Sequence, residues 1–240
     1  MRVQNVGLIL VCLLSVASSF FVGCAEKKRE ERVQARVDRI ERVEISLDDA
    51  DGDASLIRNF YFIFDGSGSM GGMCAGQVKL EGAKEAVRMF LTKVPADVNL
   101  GLFVFDDRGI REVVPLGPNN RAAFTQAIEE VKNGSGTPLA RSIRFGTDRL
   151  VAQYKRQLGY GEYRLLVVTD GQASGIPEAA RYAARYSMPI YAIGLCIEGG
   201  HPLRSFAVSY REANNYADLE RALEETLAEL PVFDVTEFGE

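Results

Sequence analysis

The sequence predicts a doubly wound α/β fold, a mostly parallel open sheet with helices on both faces. Two observations carry this expectation. From about residue 58 onward, short apolar runs alternate with longer segments of helical periodicity, the order expected of strands joined by crossover helices. Those runs are also apolar throughout, without a polar residue at every second place, which marks strands covered on both faces. A chain of 240 residues, 47% apolar and 25% charged, has material for one such core plus accessories, hardly two.

Asn59 to Phe64 is the first strand, a continuous aromatic and apolar run. Val78 to Val94 reads as a helix, because Ala83, Ala86, Val87, Phe90, Leu91 and Val94 fall on one face. Val98 to Phe105 is a second apolar strand, and Val113 to Leu116 a short one. Ala122 to Val131 and Pro138 to about Gln153 are helical, the latter with Ile143, Leu150 and Val151 toward the core. Leu165 to Thr169 is a third fully buried strand, and Pro177 to Tyr186 a helix with proline in its first turn. Pro189 to Cys196 is a fourth such strand, and Tyr216 to Leu230 the last helix. Open sheets of this kind hold ligands outside the carboxyl ends of their strands, so function is to be sought there.

Residues 1–23 have the character of an export signal and residues 24–55 that of a charged tether, leaving 56–240 for the domain. Arg2 gives a minimal positive start. An apolar stretch follows from Val6 to Val22, and its central run, Leu8 to Leu14, has the length of a signal peptide and not of a full span. The stretch ends in Phe21-Val22-Gly23-Cys24, and charge begins at once with Ala25-Glu26-Lys27-Lys28. This junction resembles the lipobox of bacterial lipoproteins, with Phe21 where Leu is usual. The resemblance implies removal of the signal before Cys24 and acylation of that cysteine, with several acyl chains giving firm membrane anchoring. Ala25 in place of Asp resembles the lipoproteins sorted to the outer membrane of diderm bacteria. The expected location is therefore the bacterial envelope, on its periplasmic or surface face. An uncleaved single span is the alternative and orients the domain the same way. Within the tether, Val33, Val37 and Ile40 recur at helical spacing, and Glu44 to Leu47 could open a strand. Asp48 to Asp53 is an acidic turn or loop, without the closing Glu and flanking helices of a calcium loop.

A formal net charge of −5 argues against a nucleic-acid partner, and the local run Lys27-Lys28-Arg29 with Arg32 reads as a solvated linker. Of four cysteines, Cys12 leaves with the signal and Cys24 carries lipid. Cys74 and Cys196 remain, as a disulfide in an oxidising compartment or as two buried free thiols.

The first strand ends in Asp65-Gly66-Ser67-Gly68-Ser69-Met70. Its alternation lets three oxygen side chains point into one small volume, while the glycines permit a tight bend. The third buried strand delivers Asp170, followed by Gly171, and Asn133-Gly134-Ser135-Gly136-Thr137-Pro138 brings a hydroxyl to a helix start, with Thr137 at the cap. Hydroxyls and carboxylates, without Cys or His, suit a hard cation such as magnesium in an octahedral shell completed by water. Asp106 and Asp107 belong on the same rim, where a solvated turn is the simpler reading and tuning of the site the other.

Taken together, Asp65-x-Ser67-x-Ser69, then Thr137, then Asp170 resembles the metal-ion-dependent adhesion site of von Willebrand factor A (VWA) domains, over roughly residues 58 to 230. The resemblance implies a Rossmann-like fold and a magnesium ion, or manganese or calcium in its place. Ser67 and Ser69 would ligate the metal through their hydroxyls, and Thr137 directly or through water. Asp65 and Asp170 would act directly or through water and set the charge. The open coordination position would take a Glu or Asp carboxylate from a protein partner, which is recognition and not turnover. In the family's sheet order the strands leading to Cys74 and Cys196 flank the one ending in Asp170, roughly 10 Å apart. The loop Gly71-Gly72-Met73-Cys74 can cover that gap, so a Cys74–Cys196 disulfide restraining the metal loop is expected.

An enzymatic reading would need an acid–base group beside a nucleophile or metal-bound water. His201 is the only histidine; as a lone loop residue it reads as solvated, and no triad can be built around it. Gly66-Ser67-Gly68-Ser69 lacks the Gly-Lys-Ser/Thr of a phosphate-binding loop. The expectation is a metal-dependent binding module and not an enzyme. A metal-dependent hydrolase of the envelope, or an accessory VWA subunit of an ATPase-type complex, is the alternative.

Overall fold

The computed structural model describes residues 41–227, apart from positions 49 and 198. The chain divides into two units, residues 1–40 and 41–240. The described residues all belong to the second, so the expected export signal, Cys24, the Val33-Val37-Ile40 pattern and the end expected for the last helix lie outside the described residues. No helix among those described is long and apolar enough to cross a membrane.

Six strands form the main sheet in the order β5-β4-β1-β6-β7-β8. They are β1 (Arg58–Asp65), β4 (Asn99–Asp106), β5 (Gly109–Gly117), β6 (Glu162–Thr169), β7 (Ile190–Leu195) and β8 (Ser209–Ala213). β2 (Met73–Cys74) and β3 (Gln77–Val78) make a separate small hairpin. β1 pairs in parallel with β4 and β6, β6 with β7, and β7 with β8, whereas β5 runs antiparallel to β4. The helices are α1 (Lys79–Lys93), α2 (Arg121–Glu129), α3 (Leu139–Arg156), α4 (Ile176–Arg185) and α5 (Tyr216–Glu225). This is the predicted doubly wound, mostly parallel sheet.

The alternation of side chains along β1 divides the core. Phe60, Phe62 and Phe64 face α1, α2 and α5, with the Phe62 ring 5.5 Å from Phe90 and 5.0 Å from Phe124. Tyr61 and Ile63 face α3 and α4 with Ile143, Leu150, Ile176 and Ala183. Because both sides are covered, the central strands tolerate no polar alternation. Helix α1 approaches α5 closely because position 82 is glycine; a β-carbon there would lie 1.6 Å from the Tyr216 ring.

The β2–β3 hairpin was not expected, and two strands of the main sheet also differ from the sequence expectation. β5 is longer than Val113 to Leu116, since Gly109 to Glu112 continue the ladder with β4. β8 was not anticipated at all. Both are edge strands, half-exposed along much of their length, and residues such as Arg111 and Arg211 hide the apolar signal that marks the central strands. The segment Glu44 to Leu47 is not a strand. The Val43 N–H donates to the Arg185 carbonyl at 2.8 Å and the Asp53 N–H to the Arg156 carbonyl at 3.0 Å, while Ile45 packs against the α3–α4 side of the core. Arg156 and Arg185 end the helices that precede β6 and β7, so this entering segment lies at the amino end of the sheet.

Candidate functional site

Strand order reverses between β1 and β6: β1 is followed in sequence by β4 on one side, and β6 leads to β7 on the other. The carboxyl ends of β1 and β6 therefore border the crevice where open α/β sheets bind ligands. Asp65 ends β1, and Asp170 follows directly on Thr169, the last residue of β6.

The loop after β1 is held from several directions. The Gly66 N–H donates to the Phe105 carbonyl at 2.9 Å, the Gly134 N–H to the Gly66 carbonyl at 2.9 Å, and the Gly68 N–H to the Ser135 carbonyl at 3.2 Å. Met70 is fully buried and pegs the short 3₁₀ turn Gly68–Gly71 into the core. Position 66 must be glycine, since a β-carbon there would sit 2.8 Å from Val131 and 3.0 Å from the Phe105 carbonyl oxygen.

Within this frame the five expected residues come together. Asp65 is fully buried; its Oδ1 accepts from the Ser67 N–H at 2.8 Å and its Oδ2 from the Thr169 hydroxyl at 2.5 Å. The Ser67 and Ser69 hydroxyls are 3.0 Å apart, and Ser69 donates to Asp170 Oδ1 at 2.7 Å. A β-carbon on Gly171 would lie 3.3 Å from the Thr137 hydroxyl and 3.8 Å from Asp65 Oδ2, so Thr137 and Asp65 face one space, left open by glycine. Thr137 stands one residue farther from its helix than the cap position expected: Pro138 is the N-cap of α3, and no side chain caps that end. Its hydroxyl is thus not committed to the helix. Ser69 is exposed, whereas Ser67 and Asp170 are nearly buried, so the constellation opens to solvent on the Ser69 side.

Burial raises the Asp65 carboxyl above the ordinary carboxylate range, a cost to the charged form that the hydrogen bonds from Ser67 and Thr169 partly offset. A nearby cation would relieve the remainder. The donor set fits a hard dication. Two hydroxyl oxygens about 3 Å apart span one edge of an octahedron with metal–oxygen distances of about 2.1 Å, and two carboxylates stand behind them.

Two residues near the site, Lys79 and Thr169, escaped the sequence reading, and a third, Asp106, has other surroundings than the simpler expectation. Lys79, the first residue of α1, places its ammonium 2.9 Å from Asp170 Oδ2. Thr169 orients Asp65 from the neighbouring strand. Asp106 is not in a solvated turn: it is fully buried and gripped by both terminal nitrogens of Arg111, with the Arg108 N–H on Oδ1 at 2.9 Å. Asp107 beside it does occupy an exposed turn. His201 is buried as well, contrary to expectation. Its Nδ1 accepts from the Leu203 N–H at 3.1 Å and caps the 3₁₀ turn Pro202–Ser205. Burial lowers its pKa below the usual histidine value, with the Gly171 backbone pulling the other way. A lone histidine before proline carried no sign of this capping role.

Cys74 and Cys196 form a disulfide, with Cα atoms 6.1 Å apart. It ties the β2–β3 hairpin to the end of β7. On the hairpin's other side the Tyr216 hydroxyl lies 3.2 Å from the carbonyls of Cys74, Gln77 and Val78.

Residues 60–172 match the family model described as von Willebrand factor type A domain. The uncharacterized protein YwmD of Bacillus subtilis (strain 168) is 26% identical over 190 residues, spanning 69% of this chain and 83% of the relative. The fold is similar to the pilus adhesin SpaC from Lactobacillus rhamnosus GG, with a TM-score of 0.57 at 16% identity; the likeness covers 73% of this chain but only 31% of the adhesin. It is similar also to the manganese-loaded Plasmodium vivax TRAP protein, with a TM-score of 0.53 at 15% identity, covering 73% of this chain and 75% of that one. Family match, sheet order and the loops gathered at the β1–β6 crevice agree: the chain carries a von Willebrand factor type A domain, of a family of adhesion and protein-interaction modules.

Proposed function

We propose that this domain is a divalent-cation-dependent protein-binding module, held at a bacterial envelope by lipid on Cys24, that grips a Glu or Asp carboxylate of its partner. The observation that carries this reading is the convergence of Asp65, Ser67, Ser69, Thr137 and Asp170 on one solvent-facing rim. Ser67, Ser69 and Thr137 would hold the cation through their hydroxyls. When bound, magnesium or manganese would supply an electrophilic position for an outside oxygen.

The chain's own residues define the rest. Asp65 is fixed by Ser67 and Thr169, so it contributes negative charge from a set position without swinging. A cation whose immediate neighbours are neutral hydroxyls stays electrophilic and takes up an anionic oxygen from outside. Binding and not turnover is our reading of the task, because His201 is spent on capping the Pro202 turn and Asp170 beside Ser69 is already paired with Lys79. The names of two structural neighbours agree with this reading, one a pilus adhesin and the other loaded with manganese. The entering segment, residues 43–57, lies at the end of the sheet opposite the rim.

The test is a thermal melt of the full chain in detergent with magnesium, with manganese and with chelator. A cation at about a hundred times its Kd adds about 2.7 kcal/mol, a rise of several degrees that Asp65→Ala abolishes. No rise with either metal would contradict the reading. Radiolabelled palmitate enters the chain but not Cys24→Ser if the anchor is lipid, and a wild-type chain that takes up no label would argue for a spanning segment.

A further inference from the structure

Lys79 stands where local preference disfavours it. It is the first residue of α1, and a cation there meets the positive end of the helix dipole. Its backbone is nevertheless fixed, the N–H donating to the Gly72 carbonyl at 2.9 Å. Its side chain is only 15% exposed and ends 2.9 Å from Asp170 Oδ2, on a carboxylate with no exposed surface. The other oxygen of that carboxylate takes the Ser69 hydroxyl. Asp170 is thus shared between a fixed ammonium and one of the hydroxyls assigned to the cation.

We infer that Lys79 is a resident positive charge that sets what the site accepts: it weakens binding of the bare cation and makes the loaded site demand an anionic occupant. This rests on the metal-binding reading above. Asp65 and Asp170 with Lys79 leave one negative charge, which a dication overshoots by one positive. Without the ammonium the same dication would be balanced, with no residual charge to attract a partner's carboxylate. Of the neighbouring acidic residues, Asp106 is engaged by the Arg111 guanidinium and exposed Asp107 lies 4.0 Å from that of Arg108, so neither offsets Lys79. Lys79 also competes directly, since its ammonium holds the Asp170 oxygen that would otherwise turn toward the cation. The consequence is a module that binds metal and anionic partner together and either one poorly alone, as a positive coupling between two ligands requires.

The experiment measures Mn²⁺ affinity of the full chain, from the free-ion electron paramagnetic resonance signal, for wild type, Lys79→Met and Lys79→Arg, with and without acetate as a minimal carboxylate. Melting in chelator checks that each variant is folded. Lys79→Met is expected to bind Mn²⁺ about tenfold more tightly or better, from removal of one like charge in a partly buried site. Acetate is expected to raise the affinity of wild type and of Lys79→Arg, and to raise that of Lys79→Met much less. A folded Lys79→Met that binds Mn²⁺ no more tightly than wild type, or gains as much from acetate, would overturn the inference and leave Lys79 as a structural ion pair. If wild type and both variants are folded and none binds Mn²⁺, the metal reading itself falls, and this inference with it.

Discussion

At the scale of single residues, the rim depends on carboxylates whose burial is matched by named donors. Asp106 shows the arithmetic. Burial alone would raise its pKa, but the Arg111 hydrogen bonds, the Arg108 N–H and the charge of Arg111 together hold the carboxyl below its usual value. The sign follows: a depressed folded pKa contributes stability that is fully present above the unfolded value of about 4 and is lost as pH falls through the folded one. Arg111→Met should therefore destabilise the domain by about 2–4 kcal/mol at neutral pH, because it strands a buried charge. Urea melts at pH 7 and near pH 3.5 check this. The gap between wild type and variant should narrow in acid, and a gap independent of pH would contradict the account. The five residues of the proposed site could be picked out of the sequence because their types and spacing sit at predicted strand ends and at one helix start. Lys79, Thr169 and Arg111 could not. Each acts on a residue that is distant in sequence or across a hairpin, and nothing in a single chain marks such a pairing.

At the scale of elements, sequence reading succeeded where burial is two-sided and failed at the edges. β1, β4, β6 and β7 are apolar on both faces, and α1 and α3 show clear stripes. β5 and β8 each expose half their surface, so Arg111, Glu112, Arg211 and Glu212 dilute the pattern. The β2–β3 hairpin is too short for any periodicity, and its position is fixed by the disulfide and Tyr216. The Cys74–Cys196 link closes a separation of 122 residues. Opening it should cost about 2–4 kcal/mol, or about 5–15 °C in Tm for a domain of this size. Because the hairpin follows the Ser67–Ser69 loop directly, reduction should also weaken any metal-dependent rise in Tm. Differential scanning calorimetry with and without reductant, each with and without manganese, reads both effects. A metal response untouched by reduction would show that the hairpin plays no part in shaping the loop.

At the scale of the whole molecule, the sheet arranges a division of labour. Its amino end receives the entering chain, through Val43 on Arg185 and Asp53 on Arg156, and its carboxyl end gathers the rim. This polarity was foreseeable from the strand–helix alternation, since a doubly wound sheet puts all its parallel carboxyl ends on one side. The seating of residues 43–57 was not, because a charged, Asp-rich segment carries no apolar pattern from which to read a docking. The central claim is that the rim binds a dication through Ser67, Ser69 and Thr137, with Asp65 and Asp170 behind them. The most direct measurement is an anomalous difference map from crystals of the domain soaked in manganese. The account predicts one strong peak about 2.2 Å from the Ser67 and Ser69 hydroxyls, absent in Asp65→Ala. A map with no peak there, or with its manganese at the Asp48 to Asp53 loop instead, would contradict it.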